Sequence, residues 1–188
     1  MERYMRAQDQ FEDVLRQVKP DQWDNPSPCP AWTARDIAGH EIWGLDMIRT
    51  LACGETFTDR TGAPGAPSPR DYLGPDPVAG WLGKRADCQA VLTAEALDRV
   101  VTFGPLGKLR LEQVLDSLTV DFLAHSWDLG TSAGITVSLD PGLVAHAQRW
   151  ADAYAKLLRG PVGLGQELPV PEDADPQTRL LRTLGRAA

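Results

Sequence analysis

Residues 111–132 read LEQVLDSLTVDFLAHSWDLGTS, with Gly134 just beyond. Leu111, Leu118, Asp121, Phe122, His125 and Leu129 recur at helical spacing, so one inward stripe of a long helix carries them all. Asp121 and His125 are four residues apart, and their side chains point the same way. An acid and an imidazole inside an apolar stripe need partners, because burying an unpaired charge is costly. A helix of this kind must bury its stripe against other helices, and the rest of the chain supplies them.

Upstream, about Arg3 to Val18 is helical in pattern through Met5, Phe11, Val14, Leu15 and Val18, and Lys19-Pro20 ends it. Asn25-Pro26-Ser27-Pro28-Cys29-Pro30 must be extended or turning. A second helix starts at Thr33, with Thr33 as cap and Asp36 in the first turn, and runs to about Leu51 before Gly54. Glu55 to Pro77 is a Gly- and Pro-rich loop, long enough to suggest a lid, a site wall or mobility. A third helix covers about Val78 to Leu97. Arg99 to Gly107 reads as a short strand or an extended lead-in. Downstream, Asp140 caps and Pro141 opens a fifth long helix that reaches Leu158, where Gly160-Pro161 breaks it. Gly163 to Pro176 is loop, and Gln177 to Leu184 forms a short terminal helix. There is no internal repeat. The expectation is an all-α four-helix bundle with additional short helices, one domain over residues 1–188, with the second to fifth helices central and the first alongside.

Composition excludes several classes. The net charge of −7 argues against binding a phosphate backbone, and no basic run rescues a nucleic-acid reading. No stretch is long and apolar enough for a membrane span, and the N-terminus has no apolar signal segment, so a cytoplasmic location is expected. Cys29, Cys53 and Cys88 are odd in number, show no CxxC spacing, and are expected to be free thiols.

Of three histidines, His40 lies on the second helix in a stripe with Ile37, Gly44, Ile48 and Leu51. A glycine at 44 costs about 1 kcal/mol of helix propensity against alanine, tolerable where helices approach closely or a ligand needs space. Asp121 and His125 either pair with each other or bind one ion with His40 as the third ligand. The plain alternative is that they are unrelated buried polar groups. Two imidazoles and a carboxylate suit zinc, nickel, iron(II) or manganese and leave positions open for water or substrate.

The segment from Pro26 to His40, PSPCPAWTARDIAGH, resembles the TPCPGWTVRDLVAH opening of actinobacterial DinB-like proteins, relatives of the N-terminal metal-binding domain of mycothiol-dependent maleylpyruvate isomerase. Asp121-Phe122-Leu123-Ala124-His125-Ser126-Trp127-Asp128-Leu129 resembles that family's D-x-x-x-H-x-W-D-L-A signature, with Gly130 where alanine is usual. The ending from Pro176 through Leu180 to Leu184-Gly185-Arg186 is similar to its C-terminal helix. The resemblance implies a four-helix bundle with a metal held by His40, Asp121 and His125, the isomerase itself having glutamate at the carboxylate position. It does not extend to the isomerase's separate C-terminal domain, so it carries no implication of maleylpyruvate isomerisation.

Asp128, three residues after His125, is a candidate for orienting a ligand or for bonding the Pro-rich loop. Trp32, Trp43 and Trp127 are expected to be packing residues, His146 a surface or packing residue, and Arg110 and Arg149 solvated. Cys29 would need a base and an electropositive setting to act as a nucleophile. The resemblance favours a metal-dependent thiol transferase or isomerase, with a divalent metal, foremost zinc, and a low-molecular-weight thiol such as mycothiol acting on a small electrophile. A metal-dependent hydrolase and a non-catalytic metal-stabilised module remain open, and so does a homodimer. No general acid or base is identifiable.

Overall fold

The computed structural model describes residues 1–160 and 163–188. Its central helix is α5 (Leu111–Ser132), and α1 (Glu2–Leu15) packs most extensively against it. Tyr4, Ala7, Phe11, Val14 and Leu15 form the buried stripe of α1. The rings of Tyr4 and Phe11 meet Phe122 at 5.7 and 5.9 Å between centroids, and Trp81 meets Phe11 at 4.9 Å. Trp81 belongs to α3 (Pro77–Ala90), which packs on α2 (Ala34–Ala52), and α2 in turn packs on α5. The bundle is therefore α1, α2, α3 and α5. This corrects the expectation that the first helix lies alongside and the fifth long helix is central. That helix, α6 (Pro141–Leu158), packs on α5 from outside and carries α7 (Pro176–Thr183). Its apolar residues made it look central, but Tyr154 and Leu157 are exposed.

Element ends follow local chemistry. Thr33 and Asp36 form a reciprocal capping box at the start of α2. Asp140 accepts from the Leu143 amide, with Pro141 in the first turn of α6. The first helix stops at Leu15 rather than Val18, because Gln17 and Val18 donate to carbonyls three residues back in a tightened exit. The expected helix from Val78 to Leu97 is two helices. After Ala90 the chain turns, and Thr93 caps a short α4 (Ala94–Leu97) by accepting from the Ala96 amide. The extended segment pairs as an antiparallel hairpin, β1 (Val100–Thr102) with β2 (Lys108–Arg110), Val100 opposite Arg110. Of the Gly160-Pro161 break, Pro161 lies outside the described residues. Among those described, no helix is long and apolar enough to cross a membrane.

Two contacts give the relative direction of α2 and α5. The Asn25 carbonyl accepts from the Ala34 amide at the start of α2, while the Asn25 side chain donates to the Ser132 carbonyl at the end of α5. Six residues into α2, His40 meets Asp121, eleven residues back along α5. The two helices run antiparallel.

The long loop after α2 is tied to the bundle by side-chain hydrogen bonds. Trp32 Nε1 donates to the Ala66 carbonyl at 2.9 Å and Trp43 Nε1 to that of Asp59 at 3.2 Å. Arg70 clasps the Asp36 carboxylate through Nε at 2.8 Å and Nη2 at 2.6 Å. Two glycines permit the close approach: a Cβ at Gly39 would run into the Pro69 carbonyl, and one at Gly62 into Trp43. Gly130, the departure from the signature's alanine, has a like reason, since a Cβ there would strike Val137 in the turn after α5.

Candidate metal centre

His40 from α2 and Asp121 and His125 from α5 bring one ligand atom each to within 4.8 Å of one another. His40 and His125 are buried, with ring centroids 5.0 Å apart, while the Asp121 side chain is one-third exposed. Trp32 packs against His40 at 5.1 Å and Trp43 stacks on it at 5.9 Å, so these tryptophans brace the His40 ring.

The partner of each imidazole sets its tautomer. His40 Nδ1 donates to the Gly62 carbonyl at 2.6 Å, which leaves Nε2 bare, 3.2 Å from Asp121 Oδ2. His125 Nδ1 donates to Asp128 Oδ2 at 3.0 Å, which leaves its Nε2 bare, 3.6 Å from Asp121 Oδ1. With both rings neutral, two nitrogen lone pairs and a carboxylate face one point with no hydrogen among them. Only a proton or a cation makes that arrangement favourable. Donor atoms around one tetrahedral zinc ion, each about 2.0–2.1 Å from it, lie about 3.3 Å apart. The residues present fit such an ion.

The electrostatics agree. Burial alone would raise the Asp121 pKa, but His125 and His40 outweigh it and bring it down to about 2. Burial alone would lower the His40 pKa, but Asp121 and the Gly62 carbonyl turn the net shift upward. The site is poised to hold positive charge.

Asp128 makes the orienting contact with His125 and none with the Pro-rich loop backbone. It is fully buried, and Arg186, which follows α7, donates to it at 2.9 Å. Burial raises the Asp128 pKa, but Arg186 and His125 hold it well below the usual carboxylate range. Cys29, His125 and Asp128 form a second group with metal-ligand spacing. There the Arg186 guanidinium already stands where a cation would, 3.9 Å from Cys29 Sγ. The Cys29 thiol donates to Asp128 at 3.3 Å, and burial followed by the Asp128 charge pushes its pKa far up, which favours the thiol over the thiolate. His146 instead meets Asp116 at 3.2 Å, away from the centre, and Arg110 lies near Asp98 and Glu112.

Three contributors had no signal in spacing. Arg186 arrives from the far end of the chain, and Gly62 acts through its backbone carbonyl. The third is Glu41, 2% exposed, whose Oε1 has no hydrogen-bond partner among the described residues. Its pKa is raised by burial and then by the charges of Asp121 and Asp128. Glu41 follows His40 directly in the sequence, but α2 periodicity alone does not reveal its burial.

The family model of the mycothiol maleylpyruvate isomerase N-terminal domain matches residues 4–130. Two uncharacterised proteins of Mycobacterium tuberculosis, from strains CDC 1551 / Oshkosh and H37Rv, are each 30% identical to this chain, covering 97% of it and 95% of their own length. No solved structure gives a significant match. With a family match over most of the chain and relatives aligned along almost all of it, this protein belongs to the family of the mycothiol maleylpyruvate isomerase N-terminal domain.

Proposed function

We propose that His40, Asp121 and His125 hold one divalent metal ion, foremost zinc, with nickel, iron(II) and manganese as chemical alternatives, in a protein that activates a small thiol for attack on a small electrophile. The observation that carries this reading is the convergence of two imidazole lone pairs and a carboxylate on one point. Family membership supports a low-molecular-weight thiol of the mycothiol type as co-substrate, in transfer or isomerisation.

An ion held there would act as a Lewis acid, lowering the pKa of a thiol entering an open position, with the proton passing to water. The chain's own residues supply position. Gly62 fixes the His40 ring, and Asp128, itself held by Arg186, fixes that of His125. Trp32 and Trp43 shield the rings on the side of the fixed loop, while the partly exposed Asp121 marks the side open to solvent.

Elemental analysis of the purified protein tests the first step. About one equivalent of a divalent metal is expected, and His125→Ala should lose it. Full retention of metal in that variant would overturn the assignment. Metal-loaded protein that turns over no electrophile with any thiol, yet turns substrates over without thiol, would move the reading to a hydrolase.

A further inference from the structure

Gly39, Gly62 and Gly130 each have a neighbour that a Cβ would strike. Gly44 does not. It is buried in the interior of α2, yet a Cβ there would meet nothing within 4 Å. A helix-interior glycine is destabilising relative to alanine, and no close approach explains this one. What glycine provides at 44 is the space itself.

That space adjoins the metal centre. Looking down α2, Gly44 lies about 40° and Glu41 about 100° round from His40, so Gly44 sits between the two, about one turn further along. Because α2 and α5 are antiparallel, this turn of α2 lies in the direction of the α5 residues that precede Asp121, Ser117 and Leu118 among them. Ser117 and Leu118, one turn before the one-third exposed Asp121 on α5, keep a little exposure, 7% and 8%. Glu41, about 60° round α2 from Gly44 and three residues before it, has a buried carboxylate oxygen with no hydrogen-bond partner among the described residues. A buried polar group without a partner is costly, and one kept in a fold calls for a physical reason.

We propose that the gap at Gly44 seats the small thiol and that Glu41 is its polar anchor, selecting thiols whose chain carries a hydroxyl or amide that bonds to the carboxyl group. This rests on the metal-thiol reading given above. The sulfur would lie toward His40, Asp121 and His125, and the chain would run along the glycine toward Glu41. Glu41 is thus a specificity-determining residue and not a fourth ligand, since it stands outside the group of donors with metal-ligand spacing.

The test uses the full chain loaded with cobalt(II), whose sulfur-to-metal absorbance reports a thiol at the ion. The probes are 2-mercaptoethanol and 1-propanethiol, which have the same heavy-atom length and differ in the hydroxyl. The expected result is a preference of roughly tenfold for 2-mercaptoethanol, the scale of one hydrogen bond. Glu41→Met should abolish the preference while retaining cobalt and the absorbance with both thiols. It should also raise the urea midpoint, because an apolar side chain replaces an unpartnered carboxyl; a merely structural carboxylate would give a fall. Gly44→Leu should retain cobalt and weaken both thiols at least tenfold. Unchanged preference in Glu41→Met, or unchanged thiol binding in cobalt-loaded Gly44→Leu, would overturn the proposal and leave the metal-thiol reading standing. Should Gly44→Leu not fold, Gly44→Val replaces it under the same criterion. Cobalt-loaded wild-type protein that shows no absorbance with either thiol would overturn both.

Discussion

The two ring nitrogens of His125 face different partners: Nδ1 donates to Asp128, and Nε2 turns a lone pair toward Asp121 and His40. Asp128 in turn is held by Arg186. Breaking a buried ion pair by removing one partner leaves an uncompensated charge and typically costs about 3–5 kcal/mol. Arg186→Met should therefore lower stability by about 3 kcal/mol in urea unfolding. Metal affinity should fall about 10–100-fold, the usual effect of losing support behind a ligand. Unchanged metal affinity would show that Arg186 serves stability alone. The candidate ligands were legible because His40, Asp121 and His125 occupy apolar stripes, where an imidazole or a carboxylate stands out. Arg186 was not, since an arginine after a terminal helix looks the same in sequence whether solvated or buried, and its partner is 58 residues away.

At the scale of elements, the loop between α2 and α3 does most to shape the centre. Its length left a lid, a wall and mobility open, and the clamp of Arg70 on Asp36 supports a wall. Burial alone would raise the Asp36 pKa, but Arg70 and Thr33 hold it below its ordinary value of 3.8. A carboxyl with a lower pKa folded than unfolded adds stability that is present above the unfolded value and is lost as pH falls through the folded one. The stability gap between wild type and Asp36→Asn should accordingly stay constant near neutral pH and shrink below about pH 4. Urea unfolding across pH measures it, and a gap undiminished at pH 2 would contradict the assignment. The variant's 55–77 segment should also be cleaved faster in limited proteolysis, as the carbonyl wall over His40 loosens. Caps were readable at this scale because they are local: Thr33 with Asp36, and Asp140 with Pro141, act within one turn. The break between α3 and α4 was missed because the apolar pattern carries on through Val91 and Leu92 while the backbone turns.

At the scale of the whole molecule, α1, α2, α3 and α5 share one core, with α6 and α7 fastened to its outside. We expect residues 1–188 to unfold in a single cooperative transition, with fluorescence and circular dichroism coinciding. Free zinc at about 100 times its Kd should add about 2.7 kcal/mol, and His125→Ala should abolish that gain. Two separated transitions would divide the chain into independent units. The sequence by itself determined the all-α class, the helix caps and the stripes holding His40, Asp121 and His125. Those features depend on the 3.6-residue period and on bonds spanning a few residues. Only the tertiary structure decided that α1 is central and α6 peripheral, and that α2 lies antiparallel to α5 with His40 against Asp121. It alone brought the Gly62 carbonyl and Arg186 behind the candidate ligands and buried Glu41 next to His40. Each depends on which apolar faces meet across long stretches of chain, a choice made by the summed packing of many side chains and written in no single segment.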